Sequence, residues 1–362
     1  MLTLLSFVVV IGVIIFVHEL GHFLAARSVG IRVEQFSLGY PPKMVSWKRG
    51  ETEYRLSWIP LGGYVKMSGM IDESGGDEST LTGAPWEFAS KRSWQKIWVV
   101  LAGVLMNFIL AVLLYTGITA VKGVPEYKGP FVGTLTPGGP AESAGLEYGD
   151  RILSIDGVEL DTCEDLTDAV YPRPGETLRV AYERDGEAHE VAIETLTHEM
   201  EVEGEWREVG LIGVNPQYTY RPANLEEVLT AGVQGTARVI ELVGQSIYAL
   251  VTGKASVKDL GGPILIAKMS GQSAREGLGY FLNFIAFISI NIGCLNLLPI
   301  PALDGGHAVI ILLEGAIRRE LPTRLKIALQ NTGMILLLAL ILFILWNDAM
   351  RVFNFGWIKQ LF

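Results

Sequence analysis

The apolar run from Leu2 to Ala26 contains three titratable side chains, His18, Glu19 and His22, and no others. Wound as a helix, the run is about 37 Å long, enough to cross a bilayer. Two imidazoles and a carboxylate at that depth are costly unless something compensates them. His18 and His22 lie one turn apart on such a helix, about 40° around its axis, so both rings leave from one face. That is how an H-E-x-x-H helix presents two nitrogens to a zinc ion, with the glutamate beside the bound water as general base. Two satisfied core histidines and an incidental glutamate are the plain alternative, and they leave the spacing at this depth unexplained.

Three more apolar runs have spanning length: Ile97–Val121, a stretch from near Tyr280 that stays uncharged up to Asp304, and Ile327–Trp346. Charged residues make up 19% of the chain, below the roughly 25% usual in soluble domains. The first run lacks a basic n-region and a small-residue cleavage site, so we read it as a retained span, not a signal peptide. Between the second and third runs, residues 122–262 hold 11 basic and 25 acidic side chains. Basic residues near span ends (Arg27, Arg32, Lys91, Arg92 and Lys96, then Arg318, Arg319, Arg324 and Lys326) all fall on one side of a four-span chain. The positive-inside rule makes that side cytoplasmic and puts the acidic insert and both termini outside. The net charge of −10 excludes a nucleic-acid binder. Cys163 and Cys294 form no disulfide framework and no metal motif.

The expected fold class is a polytopic α-helical membrane protein with four transmembrane helices, a membrane-associated β-hairpin or small sheet, and an inserted extracytoplasmic α+β domain. Residues 1–121 hold the first two helices and, at about 31–67, the β-segment, where aromatic and β-branched residues alternate with polar ones between Gly and Pro. Residues 68–85 are expected to form a mobile loop. The inserted domain covers 126–216, with a helix near Cys163–Val170. Linker and interfacial helices follow over 217–279, transmembrane helices three and four over 280–346, and an amphipathic tail over 347–362.

Two histidines leave a catalytic zinc one protein ligand short. The strongest donor is Asp304, within Asn296-Leu297-Leu298-Pro299-Ile300-Pro301-Ala302-Leu303-Asp304-Gly305-Gly306-His307, because an intramembrane carboxylate is a functional candidate by default. Read inside the third span, it lies on the cytoplasmic side at the depth of the two histidines. Pro299 and Pro301 break the helix before it, which is tolerated where freed backbone lines a cavity. His307, one turn further on, is a candidate for a supporting role. At this stage a zinc-binding transporter or sensor, or a membrane scaffold, remains an alternative to an enzyme.

HELGH in a first span paired with N-x-x-P-x-P-x-L-D-G-G in a late one resembles the site-2 protease family of intramembrane zinc metalloproteases, in its bacterial sigma-E-regulating branch. The likeness extends to Gly103–Asn107 and to Gly261-Gly262-Pro263-Ile264. It implies one Zn2+ per chain on His18, His22 and Asp304, Glu19 as catalytic base, and Asn296 in substrate or transition-state contact. It also implies that the β-segment, around Gly62, Gly63 and Tyr64, pairs with an extended substrate strand. The implied substrates are single-span membrane proteins resembling anti-sigma factors, first trimmed by an upstream site-1-type protease. The implied location is the bacterial cytoplasmic (inner) membrane, with the lipid bilayer as surroundings and the active site towards the cytoplasm. The insert, from Thr136-Pro137-Gly138-Gly139-Pro140-Ala141 through Gly149-Asp150-Arg151-Ile152, resembles a circularly permuted PDZ domain. Its peptide-carboxylate loop is then Gly210, Leu211, Ile212 and Gly213. Many members of this branch carry two tandem PDZ domains, and this chain has room for one.

Overall fold

A computed structural model describes residues 1–70, 82–202, 205–256 and 261–353. Residues 71–81 of the expected loop and 354–362 of the expected tail lie outside them. The chain divides into two compact units, Met1–Thr119 with Leu225–Phe362, and Ala120–Asn224.

The first unit opens with helix α1 (Leu2–Ser28), strands β1 (Val33–Arg49) and β2 (Thr52–Met67), and helix α2 (Ser93–Lys122). The two long strands fold back on themselves. Val33–Leu38 pairs with Gly63–Met67, and Gln35–Leu38 also pairs with Glu53–Leu56, while Lys43–Arg49 pairs with Thr52–Ser57. Gly63–Met67 is therefore paired on one side only among the described residues. Phe36 anchors this sheet on α1, with its ring 5.4 Å from that of Phe23, and Val33, Val65, Met67 and Val99 complete a buried cluster.

The interposed unit contains β3 (Val124–Leu135), α3 (Pro140–Ser143), β4 (Arg151–Ile155), β5 (Val158–Glu159), α4 (Cys163–Val170), β6 (Thr177–Arg184), β7 (Glu187–Glu194), β8 (Leu196–Val202), β9 (Glu205–Leu211) and β10 (Val214–Arg221). Its main sheet has the order β10-β3-β4-β6-β7, with β5 on β4, and β8–β9 is a separate hairpin. Val132, Ile152, Ile155, Leu178, Val180 and Ile193 fill its core. A capping box starts α4: the Thr162 side chain accepts from the Asp165 N–H, and the Asp165 carboxylate accepts in return from the Thr162 N–H. The sheet continues past Pro216 to Arg221, and the sequence pattern did not reveal the β8–β9 hairpin.

Asp150, 2% exposed, ties this unit together. Arg184 donates to both its carboxylate oxygens, from Nε at 2.8 Å and from Nη2 at 2.7 Å, and the Glu147 N–H adds a third bond at 2.8 Å. Burial pushes the Asp150 carboxyl up, but these donors outweigh it and hold the group below the ordinary aspartate range. A depressed folded-state value stabilises the fold above the unfolded aspartate's pKa of about 4, and that stability is lost as pH falls through the folded value. Asp150→Asn is expected to cost about 1.5–3 kcal/mol at neutral pH. Hydrogen exchange of the full chain should report it as lost protection in β4 and β6, and unchanged protection there would exclude the role.

The chain returns to the first unit through α5 (Leu225–Val251), α6 (Pro263–Glu276), α7 (Leu278–Asn296), α8 (Asp304–Ile317) and α9 (Thr323–Phe353). Among the described residues, four helices are long and apolar enough to cross a membrane: α1, α2, α7 and Thr323–Met350 of α9. Val10 and Ile14 of α1 pack on Phe284, Ile285 and Ile288 of α7, and Val100 of α2 packs on Ala308 and Ile311 of α8. One expectation is corrected here. Asp304 does not lie within the third spanning helix, since α7 ends at Asn296 and Asp304 is the first residue of a separate helix. Pro299 and Pro301 prevent helix from continuing across the gap.

Candidate metal centre

Three helices converge on one point. His18 Nε2 lies 3.2 Å from His22 Nε2 and 3.2 Å from Asp304 Oδ2, and His22 Nε2 lies 3.6 Å from the same carboxylate oxygen. Ligands at 2.0–2.1 Å in a tetrahedral zinc shell stand about 3.3–3.4 Å apart, so these atoms match three corners of that shell. Asp304 Oδ2 is buried without a hydrogen-bond partner. An orphaned carboxylate oxygen facing two imidazole nitrogens calls for a cation. The donor set, two nitrogens and one oxygen, suits zinc and leaves one corner for water. Among the described residues it is the one group of three or more His, Cys, Asp or Glu with metal-ligating geometry.

Local sequence explains the convergence. In α2, Val99, Gly103 and Asn107 are four residues apart and share the face turned to α1. The Val99 carbonyl accepts from His22 Nδ1 at 2.8 Å, which leaves the Nε2 lone pair for a metal. Gly103 lies directly against both imidazoles, and a Cβ there would overlap His22 Nε2 and stand 2.7 Å from His18 Cε1. Gly21 likewise lets α1 approach the Ala102 carbonyl. Gly305 and Gly306 bring α8 onto the carbonyls of Leu297 and Ile300, where any side chain would collide. Just before Asp304, Ala302 takes φ 145°, a strained value for a residue with a Cβ.

The centre opens into a cavity of about 640 Å³. Glu19 lines it next to the two histidines, and so do Gly63, Tyr64, Val65, Lys66 and Met67 from the one-sided strand edge. Gly63 faces Glu19, since a Cβ on it would stand 2.9 Å from Glu19 Cγ. Gln35, Arg55, His307 and Gln330 also line the cavity, and sequence reading had assigned none of them a site there except His307. Arg55 donates to the Tyr64 hydroxyl, which donates to Gln35, giving that wall a fixed polar network. Asn296, at the end of α7, and Gly62, packed on the Tyr40 ring, are not among the lining residues.

Within the interposed unit, a groove of about 590 Å³ runs between α4 and the start of β10, lined by Leu166, Val170, Leu211, Ile212, Gly213 and Val214 among others. Gly213 has φ +79°, a left-handed value suited to glycine. Gly210 is not among the lining residues: its N–H donates to the Tyr171 carbonyl, and a Cβ on it would stand 2.6 Å from the carbonyl oxygens of Val170 and Arg173.

The Peptidase family M50 pattern matches residues 6–340. A Clostridium perfringens chain named among the zinc metalloproteases is 37% identical, over 92% of this chain and 95% of that one. The zinc metalloprotease RasP of Geobacillus kaustophilus is 31% identical over 97% and 98%. The regulator of sigma-W protease RasP of Bacillus subtilis is 31% identical over 97% and 99%. A PDZ domain from the SdrC-like protein of Listeria monocytogenes is 22% identical over 25% of this chain and 90% of its own, with a TM-score of 0.21. The family pattern runs through every helix that meets at the metal centre. This multi-pass membrane protein belongs to Peptidase family M50, the zinc metalloproteases of the site-2 type.

Proposed function

We propose that the chain hydrolyses peptide bonds within or next to the transmembrane segments of single-span membrane proteins, using one zinc ion on His18, His22 and Asp304 and Glu19 as general base. The observation that carries this reading is the triangle of ligand atoms at 3.2, 3.2 and 3.6 Å, open to a polar cavity beside Glu19. Bound there, zinc supplies Lewis acidity, lowering the pKa of a water towards neutrality and polarising the scissile carbonyl. Glu19 takes the water's proton and delivers it to the leaving amine nitrogen. The Val99 carbonyl keeps the proton of His22 on Nδ1, so Nε2 stays a ligand.

The substrate binds as an added strand. A helical peptide bond is shielded by its own turn, so the scissile segment unwinds and pairs with the open edge at Gly63–Met67. Gly63 of that edge stands against Glu19, and its lack of a side chain lets the base lie directly beside the strand. The clusters of Lys and Arg near span ends support a cytoplasmic-side active site in a bacterial inner membrane, with the 122–262 insert and both ends outside. The name of the Bacillus subtilis relative supports a sigma-factor regulator, of the anti-sigma type, as substrate. The single PDZ-type unit then acts as a filter, refusing substrates whose outer domains have not been trimmed by an upstream protease.

The test uses purified full-length protein in proteoliposomes with a single-span anti-sigma-type substrate, made with and without its outer domain. Cleavage is expected for the trimmed form alone, abolished by chelator and restored by zinc. Asp304→Ala should hold far less than one zinc per chain. Cleavage and full zinc content in that variant would remove Asp304 from the centre.

A further inference from the structure

His22 has a visible reason to offer Nε2 to a metal, because the Val99 carbonyl can only accept and therefore fixes the proton on Nδ1. His18 needs the same device. Its Nε2 is one corner of the ligand triangle, and its Nδ1 lies 3.3 Å from the side-chain amide of Asn107. A neutral imidazole carries one proton. If Nε2 ligates, Nδ1 holds that proton and requires an acceptor. The amide atom placed against it is Nδ2, which can only donate, and that assignment would strip His18 of its ligating lone pair.

Oxygen and nitrogen of an Asn amide are assigned from their partners, not from shape. Asn107 is fully buried, and its other amide position has no hydrogen-bond partner. That end does not choose between the two assignments, so His18 does. With the amide reversed, Oδ1 accepts from His18 Nδ1, and both histidines are held alike by residues two helical turns apart on the same face of α2. The Ser289 hydroxyl donates to the Asn107 backbone carbonyl at 2.9 Å, holding α7 against α2 at this point.

We infer that Asn107 is a positioning residue for the metal centre, accepting from His18 Nδ1 through its side-chain oxygen and so fixing the tautomer that ligates. This rests on the assignment of His18 as a ligand. The competing account is that Asn107 only packs α2 against its neighbours, and the two differ in what its side chain must do. Aspartate accepts but does not donate; leucine fills similar space and does neither.

Zinc affinity, measured by chelator competition on full-length protein in detergent, and the visible absorption of the cobalt-substituted protein separate the two accounts. Asn107→Leu should weaken zinc binding about 10- to 100-fold and shift the cobalt spectrum. Asn107→Asp should stay within a few-fold of the parent, with the parent's spectrum. An Asn107→Leu protein with parental affinity overturns the inference, and so does an Asn107→Asp protein that loses zinc. If the leucine variant does not fold, the aspartate variant decides alone. A His18→Ala control keeps the two readings apart. Parental zinc affinity there removes His18 as a ligand and this inference with it, whereas zinc loss there beside full affinity in Asn107→Leu removes only the inference.

Discussion

Replacing Glu19 with Gln is expected to leave zinc content unchanged and to slow peptide cleavage by about 10²- to 10⁴-fold. Gln has nearly the shape of Glu, so it fits the space between the two histidines and Gly63 without moving the strand edge. What it lacks is a basic oxygen for the water's proton. The ligand atoms belong to other residues, so the metal should remain, and the two readouts must separate. Metal analysis and gel-based cleavage of one preparation measure both. A variant that cleaves like the parent would rule out Glu19 as the base, and one that loses zinc as well would place Glu19 among the groups that build the centre. Glu19→Asp keeps the carboxylate but draws it back by one methylene. It should recover part of the rate, because geometry and basicity both enter the proton transfer.

The chemistry was legible because it sits where a membrane segment tolerates little else. His18, Glu19 and His22 stood out against an apolar run, and Asp304 against a long uncharged stretch, so cost alone marked them. The sheet at Val33–Met67 announced itself by alternation. Its folding back on itself did not, because pairing of one strand with two partners is set by long-range contacts. Asp304 looked like part of the third span, since an apolar run does not show where a helix stops and a new one starts; two prolines were the only local sign. The supporting groups were harder still. Val99 acts through a carbonyl that every residue possesses, and Ala302 through a backbone angle its side chain disfavours. The β8–β9 hairpin, rich in glutamate, has no apolar alternation long enough to announce a strand pair.

Gly103→Ala should cost the protein its zinc, although helix propensity points the other way. Alanine favours an exposed helix interior over glycine by about 1 kcal/mol. Gly12 in α1 and Gly117 in α2 have nothing within 4 Å of the point where a Cβ would stand, so alanine there should be neutral or mildly stabilising. At Gly103 the same methyl would overlap His22 Nε2 and press on His18 Cε1. Neither ring can retreat easily, since His22 is tied to the Val99 carbonyl one turn earlier on the same helix and His18 contacts Asn107 one turn later. Either α2 moves away from α1, breaking both contacts, or the imidazoles turn off the point they share with Asp304. Both routes open the triangle of ligand atoms, and a displacement of about 1 Å at a catalytic centre already costs on the order of 10²-fold in rate. Gly103→Ala should therefore lose most of its zinc and nearly all cleavage, while Gly12→Ala and Gly117→Ala keep both. Parental zinc content in Gly103→Ala, with the two controls unaffected, would mean that α2 does not bear on the imidazoles as this packing requires.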